Sequence, residues 1–382
     1  MAAETTQFSQ VPEDIQAPLF IMVGGFLGAG KTTTVGRLAK HYQALGKRVV
    51  VVTNDQAADL VDTHTLRSQG LEVGEVAGSC FCCNFNELTG VMEKLAVSGL
   101  PDVVLAEPVG SCTDLVATVL RPLESVYQKP MRLAPYAVIL KPGHGKRILG
   151  NHAKAGFSPQ AAYIFRKQIE EADLVLVNRV DELGAGEVGE LTRLVHEQYP
   201  GRLVLPISAS TGDGFDRLIE ALEGSRIRPG QQTMEVDYDV YAQGEADLGW
   251  LNSQGTARAE KPFELDALAL GLVQAIQVLL TGVGAETAHL KVTVKGSGAI
   301  AVANSIDNQS EPKLSQGAQR QSREADLIIN ARVAIDPESL ARLVEQGVGQ
   351  AASQVGASAS LENLRSFRPG RPVPTHRIEG AL

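Results

Sequence analysis

The chain has 382 residues, more than one compact core usually holds, which indicates two domains. Its 44% hydrophobic and 21% charged residues are typical of a globular protein, and the net charge of −9 argues against a broad nucleic-acid surface. No apolar run approaches bilayer length, and the polar first 18 residues carry no signal-peptide pattern. We therefore expect a flexible N-terminus over 1–18, a cytoplasmic location, and neither nucleic-acid nor membrane partners.

A complete phosphate-binding motif follows the first apolar run. The sequence GGFLGAGKTTT, residues 24–34, matches the pattern G-x-x-x-x-G-K-[ST]. Glycines let successive N–H groups point at phosphate oxygens, and the helix that follows adds its positive N-terminal end. Lys31 would reach the β- and γ-phosphates, and the Thr32 hydroxyl would hold Mg²⁺. The predicted nucleotide contacts of this loop are Gly25, Gly28, Ala29, Gly30, Lys31, Thr32 and Thr33.

Strand-like apolar runs alternate with helical patterns from residue 19 to about 223. The candidate strands are 19–23, 48–53, 103–106, 136–140, 174–177 and 203–207. The candidate helices between them include 88–97, 164–171, 188–199 and 215–222. Such alternation is typical of an α/β fold with a mostly parallel sheet and helices on both faces. Ligands lie beyond the carboxyl ends of such strands, so we expect the motifs to share one edge.

Acidic residues that follow two of these strands are candidates for the magnesium site. At Glu107 a carboxylate can hold the Mg²⁺ shell or orient the attacking water, and the N–H of Gly110 can contact the γ-phosphate. Asp55 ends another strand, and Asp62 follows where a switch loop would lie; a buried helix-capping role is the alternative for Asp55. The predicted magnesium contacts are Thr32, Asp55 and Glu107. The predicted catalytic residues are Lys31, Thr32 and Glu107.

The sequence LVLVNRVD, which begins with a predicted strand, favours guanine as the base. Guanine-specific P-loop proteins carry N-K-x-D here, with Asp accepting hydrogen bonds from the base and Asn facing O6 and N7. Asn178 and Asp181 fit these roles, and Arg179 in place of Lys can lie over the purine face. Ser208 and Ala209 follow the next strand, where backbone N–H groups contact the guanine O6. Helix capping is the alternative role for Asn178 and Asp181.

The four cysteines are Cys80, Cys82, Cys83 and Cys112, and the first three lie in the sequence GSCFCCN. Three thiolates this close can supply most of a tetrahedral site for a soft or borderline cation, with Zn–S distances of about 2.3 Å. Water, a carboxylate or Cys112 would complete it. A redox pair of Cys80 and Cys83, or inert buried thiols, are the alternatives. Thiolates exclude Mg²⁺ and Ca²⁺ here, but they do not separate Zn²⁺ from Co²⁺, Ni²⁺ or Cu⁺.

A second unit follows the sequence RIRPGQQ, residues 226–232, which we interpret as a linker. Its candidate elements are strands at 236–241, 289–294, 300–304 and 325–333 and helices at 265–280 and 337–351. This order suits a small α+β domain with helices on one face of a sheet. Residues 308–323 are polar and predict a loose loop. We predict domains at 19–226 and 233–354 and a mobile tail at 355–382.

The chain resembles the CobW-type GTPases, relatives of the nickel-insertion GTPases of urease and hydrogenase maturation. The resemblance covers about residues 19–224 and rests on the phosphate loop, Asn54 with Asp55 and Asp62, CFCC with NEL behind it, EPVG at 107–110, and the run 168–181. It implies a GTP-hydrolysing metallochaperone that uses GTP and Mg²⁺ and delivers Zn²⁺, Co²⁺ or a similar ion to a client metalloprotein. A nucleotide-dependent homodimer is an assembly that we also expect.

Several features depart from that family. Ser79 stands before the first Cys where Gly is usual, Arg179 replaces Lys, and Lys141 follows a strand that usually ends in Asp. A histidine-rich stretch is absent, and we interpret His144 and His152, in or just after the basic sequence KPGHGKR, as solvated loop histidines. Hydrolysis should be slow because the sequence offers no obvious arginine finger. A regulatory GTP-binding switch with structural or redox-sensing thiols is the rival function.

Overall fold

A computed structural model of the chain describes residues 17–55, 61–78, 80–150, 158–224, 226–308 and 310–379. Ser79, His152 and most of the predicted flexible N-terminus lie outside these ranges. The described residues form two β-sheets, each with its own helices.

The first half of the chain alternates strands and helices. The strands are β1 Leu19–Gly25, β2 Val49–Asp55, β3 Glu72–Ala77, β4 Val103–Glu107, β5 Arg132–Leu133, β6 Ala137–Leu140, β7 Leu174–Val177 and β8 Leu203–Pro206. The helices are α1 Lys31–Ala44, α2 Val61–Ser68, α3 Phe85–Ala96, α4 Arg121–Ser125, α5 Pro142–Leu149, α6 Pro159–Glu171, α7 Ala185–Gln198 and α8 Phe215–Glu223. A π-helical turn, Val116–Leu120, precedes α4, and a 3₁₀ turn, Val180–Glu182, follows β7.

The first sheet confirms the predicted α/β fold. Its strand order is β3-β2-β4-β1-β6-β7-β8, with β5 beside β1, and every neighbouring pair is parallel. Every residue of β1, β4, β6 and β7 is buried, because helices cover both faces of a parallel sheet. Strand β1 lies between β4 and β6; the chain continues from β1 to β2 on one side of it, whereas it continues from β4 to β6 on the other side. A ligand crevice therefore opens at the carboxyl end of β1, where the direction of the connections changes. Strands β3 and β5 were not predicted.

The second half builds an antiparallel sheet. Its elements are α9 Tyr238–Ala246, β9 Gly249–Glu264, α10 Leu265–Gly282, β10 Glu286–Gly296, β11 Ala299–Ser305, β12 Lys313–Gln316, β13 Gln321–Ala334, α11 Pro337–Gln354 and β14 Ser358–Phe367. The strand order is β12-β11-β10-β13-β9-β14. Helix α10 packs on β10 and β11, and α11 packs on α10, β9 and β14. The division at about residues 226–233 stays a prediction.

Several predicted elements of this half were wrong. Residues 236–241 are not a strand: Asp237 accepts hydrogen bonds from the N–H groups of Asp239 and Val240, which starts α9. Helix α9 packs on α6, beside the first sheet. The loop predicted at 308–323 contains β12 and the start of β13. The predicted mobile tail contains β14, which pairs with β9 because that strand would otherwise be an open edge.

Among the described residues, one helix, α10, is long and apolar enough to cross a membrane by length and composition alone. This differs from our expectation that no apolar run has that length. Eight of its side chains are buried, and all of them except Gln277 belong to the hydrophobic core between α10, α11 and the second sheet. The apolar side chains of α10 therefore form part of the core of the fold.

Candidate nucleotide site and cysteine cluster

The phosphate loop connects β1 to α1 with a backbone that requires glycine. Gly25 has φ of +136° and Gly30 has φ of +106°, a range that side chains rarely adopt. A Cβ atom at Gly30 would lie 2.4 Å from Nδ2 of Asn178, so there is also no room for a side chain at this position. Helix α1 begins directly after Gly30, and its N-terminus faces the crevice. This arrangement is that of an anion-binding loop.

The residues predicted to hold the phosphates and magnesium lie close together. Lys31 is buried, and its Nζ donates to the Gly25 carbonyl at 3.0 Å, across the loop. The Thr32 hydroxyl donates to Oε1 of Glu107 at 2.9 Å. A Cβ atom at Gly110 would lie 3.0 Å from Lys31 Nζ, so the Gly110 backbone is next to the Lys31 ammonium group. The side chains of Asp55 and Asp62 lie outside the described part of the structure.

The predicted base-binding loops are joined by one buried side chain. Nδ2 of Asn178 donates to the Ala29 carbonyl at 2.8 Å, and its Oδ1 accepts from the N–H groups of Arg179 and Ala209 at 2.8 and 2.9 Å. Asn178 therefore ties the phosphate loop to both base loops. The helix-capping alternative is wrong for Asn178, because α7 begins seven residues later at Ala185. Asp181 lies in the exposed 3₁₀ turn at the cavity wall.

A cavity of about 1180 Å³ lies over these residues. Every predicted nucleotide contact except Gly25 lines it, from Gly28 to Thr33 in the phosphate loop and from Gly110, Asn178, Asp181, Ser208 and Ala209 beyond it. Its volume exceeds the roughly 300–1,000 Å³ of ordinary ligand pockets, so a nucleotide leaves part of it open. The opposite wall belongs to β10, β11, β12 and β13 of the second sheet, which sequence reasoning did not place near the nucleotide.

The four cysteines are free thiols gathered beside this cavity. Sγ of Cys80 lies 3.0 Å from Sγ of Cys82 and of Cys83, and the last two are 3.7 Å apart. Hydrogen bonds from the thiols of Cys112, Cys82 and Cys83 lower the pKa of Cys80 well below its ordinary value. The compact cluster consists of Cys80, Cys82 and Cys83, and the buried Cys112 stands beside it as a candidate fourth ligand.

Two contacts tie the cluster to its surroundings. The Phe81 N–H donates to Oδ1 of Asn54 at 2.8 Å, which joins the cysteine loop to the end of β2. On the other side, Ser111 Oγ donates to the carboxyl of Glu245, a buried residue of α9. Burial raises the pKa of Glu245 to about 8. Sequence reasoning missed Glu245 because it expected a strand before this position and no helix.

The C-terminal segment 368–379 lies across the cysteine loop, contrary to the predicted mobile tail. The Thr375 N–H donates to the Cys82 carbonyl at 2.8 Å, and its hydroxyl donates to the Cys83 carbonyl at 2.9 Å. Nε of Arg377 donates to buried Asp114 at 2.7 Å. We call residues 368–379 the strap. Its backbone finds hydrogen-bond partners on the first domain, which is why it folds there.

The contribution of the strap is testable at Arg377. Arg377→Ala leaves the buried Asp114 carboxylate without its ion pair, so we expect the free energy of unfolding to fall by about 3 kcal/mol. Arg371→Ala is the matched control, because Arg371 pairs with Asp239 at an exposed site and should change stability by less than about 1 kcal/mol. Urea denaturation measures both. Equal effects of the two variants would contradict this role of Arg377.

Lys141 and His144 correct our interpretation of the basic segment. Pro142 starts helix α5, and the helix buries His144 with its ring edge-on to Phe26, centroids 5.7 Å apart. His144 is therefore not a solvated loop residue. Nζ of Lys141 donates to the Ile306 carbonyl at 2.7 Å and lies 3.4 Å from Asp307. The lysine that replaces the usual Asp thus holds the second domain against the first.

This burial predicts a pH dependence. Burial lowers the pKa of Lys141 from 10.5 to about 8, against the opposing charge of Asp307, with Arg179 and Arg147 lowering it further. Between pH 8 and 10.5 the unfolded chain then binds the extra proton, so the free energy of unfolding rises with pH there, by about 3 kcal/mol. Denaturation at pH 7.5 and 10.5 should show this rise in the wild type and in the surface control Lys94→Met. Lys141→Met should reduce it; an unchanged rise would contradict the assignment.

The phosphate loop, the carboxylate facing its threonine and the Asn178 loop together define a P-loop nucleotide-binding protein. The nucleotide-binding domain of the CobW/HypB/UreG family matches residues 19–206. Residues 19–206 of the chain therefore carry the nucleotide-binding domain of this family.

Known proteins are similar over part of the chain. Zinc chaperone YeiR of Escherichia coli (strain K12) is 30% identical over 166 residues, which cover 42% of this chain and 46% of YeiR. Zinc chaperone CobW of Pseudomonas aeruginosa is 25% identical over 221 residues, 50% of this chain and 56% of that protein. The chain thus spans about half the length of these curated relatives. The crystal structure of Zn(II)-bound YjiA GTPase from E. coli aligns with 13% identity and a TM-score of 0.36, over 87% of this chain and 99% of that chain.

Proposed function

We propose that the chain is a GTP-hydrolysing metallochaperone that binds a transition metal at the four cysteines and delivers it to a client metalloprotein. The carrying observation is that the thiol cluster and the phosphate loop lie at the same edge of the first sheet. Asn54, which lines the nucleotide cavity, accepts a hydrogen bond there from the Phe81 N–H of the cysteine loop. Zinc is the favoured metal because two relatives are named zinc chaperones, and cobalt is the second candidate. Reduced thiolates require a reducing compartment, so the proposal includes a cytoplasmic location.

The spacing of the thiols supports a metal site. Tetrahedral coordination at about 2.3 Å places sulfur atoms about 3.8 Å apart. Cys82 and Cys83 are already 3.7 Å apart, whereas Cys80 lies 3.0 Å from each and would move outward by less than 1 Å. Cys112 is our candidate for the fourth ligand, because its thiol is buried and the nearby Cys80 raises its pKa.

The coupling step follows from Asn54. With Mg²⁺ held by Thr32, Glu107 and Asp55, bound GTP would fix the positions of Asp55 and Glu107, as γ-phosphate contacts position switch residues in other GTPases. Asn54 would then pass this change to the cysteine loop. Linkage requires that GTP change metal affinity by the same factor as metal changes GTP affinity. Hydrolysis would loosen the loop and release the ion to the client.

The test is a Zn²⁺ and Co²⁺ titration of the reduced protein, with GDP and with a non-hydrolysable GTP analogue. One tight site with thiolate-to-Co²⁺ charge transfer, shifted by nucleotide, supports the proposal. A site indifferent to nucleotide, or no site, contradicts it and favours a GTP switch. A reversible disulfide would support that rival, since Cys80 and Cys83 are 3.0 Å apart. Light scattering with each nucleotide would test the predicted homodimer.

A further inference from the structure

The second sheet presents a polar face toward the nucleotide cavity. Along β10, Leu290 and Val292 point into the core under α10, while His289 and Lys291 alternate with them on the opposite face. The register places Asn330 across from Lys291 and Arg332 across from His289. All four of these polar residues line the cavity of the phosphate loop. The chain therefore brings two cations of the second domain to the nucleotide site.

Contacts with the phosphate loop and with helix α2 place this polar face at the end of the cavity where the phosphates would bind. A Cβ atom at Gly28, in the phosphate loop, would lie 3.4 Å from the Ala288 carbonyl oxygen and 3.3 Å from Cγ2 of Ile306. Helix α2, in the predicted switch region after β2, packs on β10 and β13. His289 follows Ala288 directly, and Lys291 lies two residues further along β10. The base end is separate, because Lys313 of β12 pairs there with Glu182 at 2.8 Å, next to Asp181.

The two cations are buried and held in place. Lys291 is 8% exposed and Arg332 is 4% exposed. The Arg332 guanidinium lies 4.2 Å from the ring centre of Trp250 and donates to Oδ1 of Asn252 at 3.2 Å and to the Leu251 carbonyl at 3.1 Å. A cation fixed in a low-dielectric wall needs little reorganisation when an anion arrives, so it stabilises developing phosphate charge more than a mobile surface lysine does.

We propose that Lys291 and Arg332 contact the γ-phosphate of GTP, so that the second domain adds cationic groups, within one chain, to the lysine that the phosphate loop supplies. This inference rests on the proposed GTPase function. GDP has no γ-phosphate, so these residues distinguish the triphosphate from the diphosphate. The same sheet continues through β13, β9 and β14 into the strap over Cys82 and Cys83, which offers a path from nucleotide state to the thiols.

The decisive variant is Lys291→Gln, which removes one cation and retains a polar side chain of similar length. Affinities for GDP and for a non-hydrolysable GTP analogue are measured by calorimetry in the presence of Mg²⁺, together with single-turnover GTP hydrolysis. We expect at least 10-fold weaker binding of the analogue, GDP affinity within 2-fold of wild type, and hydrolysis slower by about 100-fold, the order seen when one oxyanion donor is removed. Arg332→Lys keeps the charge but loses the planar fork, so it should show a smaller loss with the same selectivity.

Two controls use lysines of the same sheet. Lys295 lies four residues after Lys291 on the same face of β10, but it is exposed and outside the cavity wall. Lys295→Gln should therefore change the affinity neither for GDP nor for the GTP analogue. Lys313→Gln alters the base end and should affect GDP and the analogue alike. Thermal melts confirm folding of each variant. Equal losses for both nucleotides in Lys291→Gln and Arg332→Lys, or no loss in either, would overturn the inference. Absence of GTP hydrolysis in the wild-type protein would instead refute the proposed function.

Discussion

Tight binding of Zn²⁺ or Co²⁺ is expected to disappear when Cys82 and Cys83 are both replaced with serine. The two thiols are part of the compact cluster, and a serine hydroxyl is a poor ligand for either ion. The loss in affinity should exceed the roughly 100-fold that removal of an outer-shell partner costs, because two direct ligands are lost. Competition with a chelating dye measures this affinity, and the Co²⁺ charge-transfer band should vanish with it.

Two further measurements make this result specific. GTP affinity of the metal-free double variant should equal that of the metal-free wild type, since neither thiol lines the nucleotide cavity. Cys112→Ser should weaken metal binding less than the double substitution does, because three thiolates remain and water can take the fourth position. A double variant that binds Zn²⁺ like the wild type would show that the cysteine cluster is not the metal site.

The second large effect is expected at Lys31. Lys31→Met removes a buried ammonium that lies at the phosphates in this motif, so GTP and GDP should both bind about 100-fold more weakly. Hydrolysis should fall by roughly a further 10²–10³-fold, because the lysine also stabilises charge that develops in the transition state. Fluorescence titration with labelled nucleotides and a phosphate-release assay measure the two effects.

The effects on GDP affinity and on GTP affinity distinguish the role of Lys31 from that of Lys291. Lys31 is predicted to contact the β- and γ-phosphates, so its loss should weaken GDP binding as well, whereas the proposed role of Lys291 is limited to the γ-phosphate. Lys47→Met is the control, because Lys47 is exposed just beyond α1 and faces Asp102 rather than the cavity. Wild-type affinity for both nucleotides in Lys31→Met would mean that the phosphate loop does not bind nucleotide in this protein.

The phosphate loop and the α/β fold could be predicted because their determinants are local. The glycines, Lys31 and Thr32 lie close together in the chain. The parallel strands are buried on both faces, so each appears in the sequence as a short continuous apolar run. The cysteine cluster was likewise evident from three thiols within four residues. For Cys112, the sequence left its role as fourth ligand open, because it is 29 residues beyond Cys83 and only the packing of the fold buries it near Cys80.

The second half was predicted less well because its signals are weaker. Strand β9 reads GWLNSQGTARAEKPFE, a polar sequence that becomes a strand because β13 and β14 pair with it on both sides. Residues 236–241 alternate like a strand, yet the Asp237 cap and packing on α6 make them helical. In both cases tertiary contacts outweigh local preference, as they commonly do.

The nucleotide loop, the three neighbouring cysteines and the parallel sheet thus follow from residues close together in the chain, where local backbone geometry and burial suffice. The wall formed by Lys291 and Arg332, the burial of Lys141 and His144, and the strap over Cys82 and Cys83 join segments that are far apart in the chain. Such contacts depend on how two sheets pack, and a single sequence carries no local signal for that packing. Only the tertiary structure could therefore decide them.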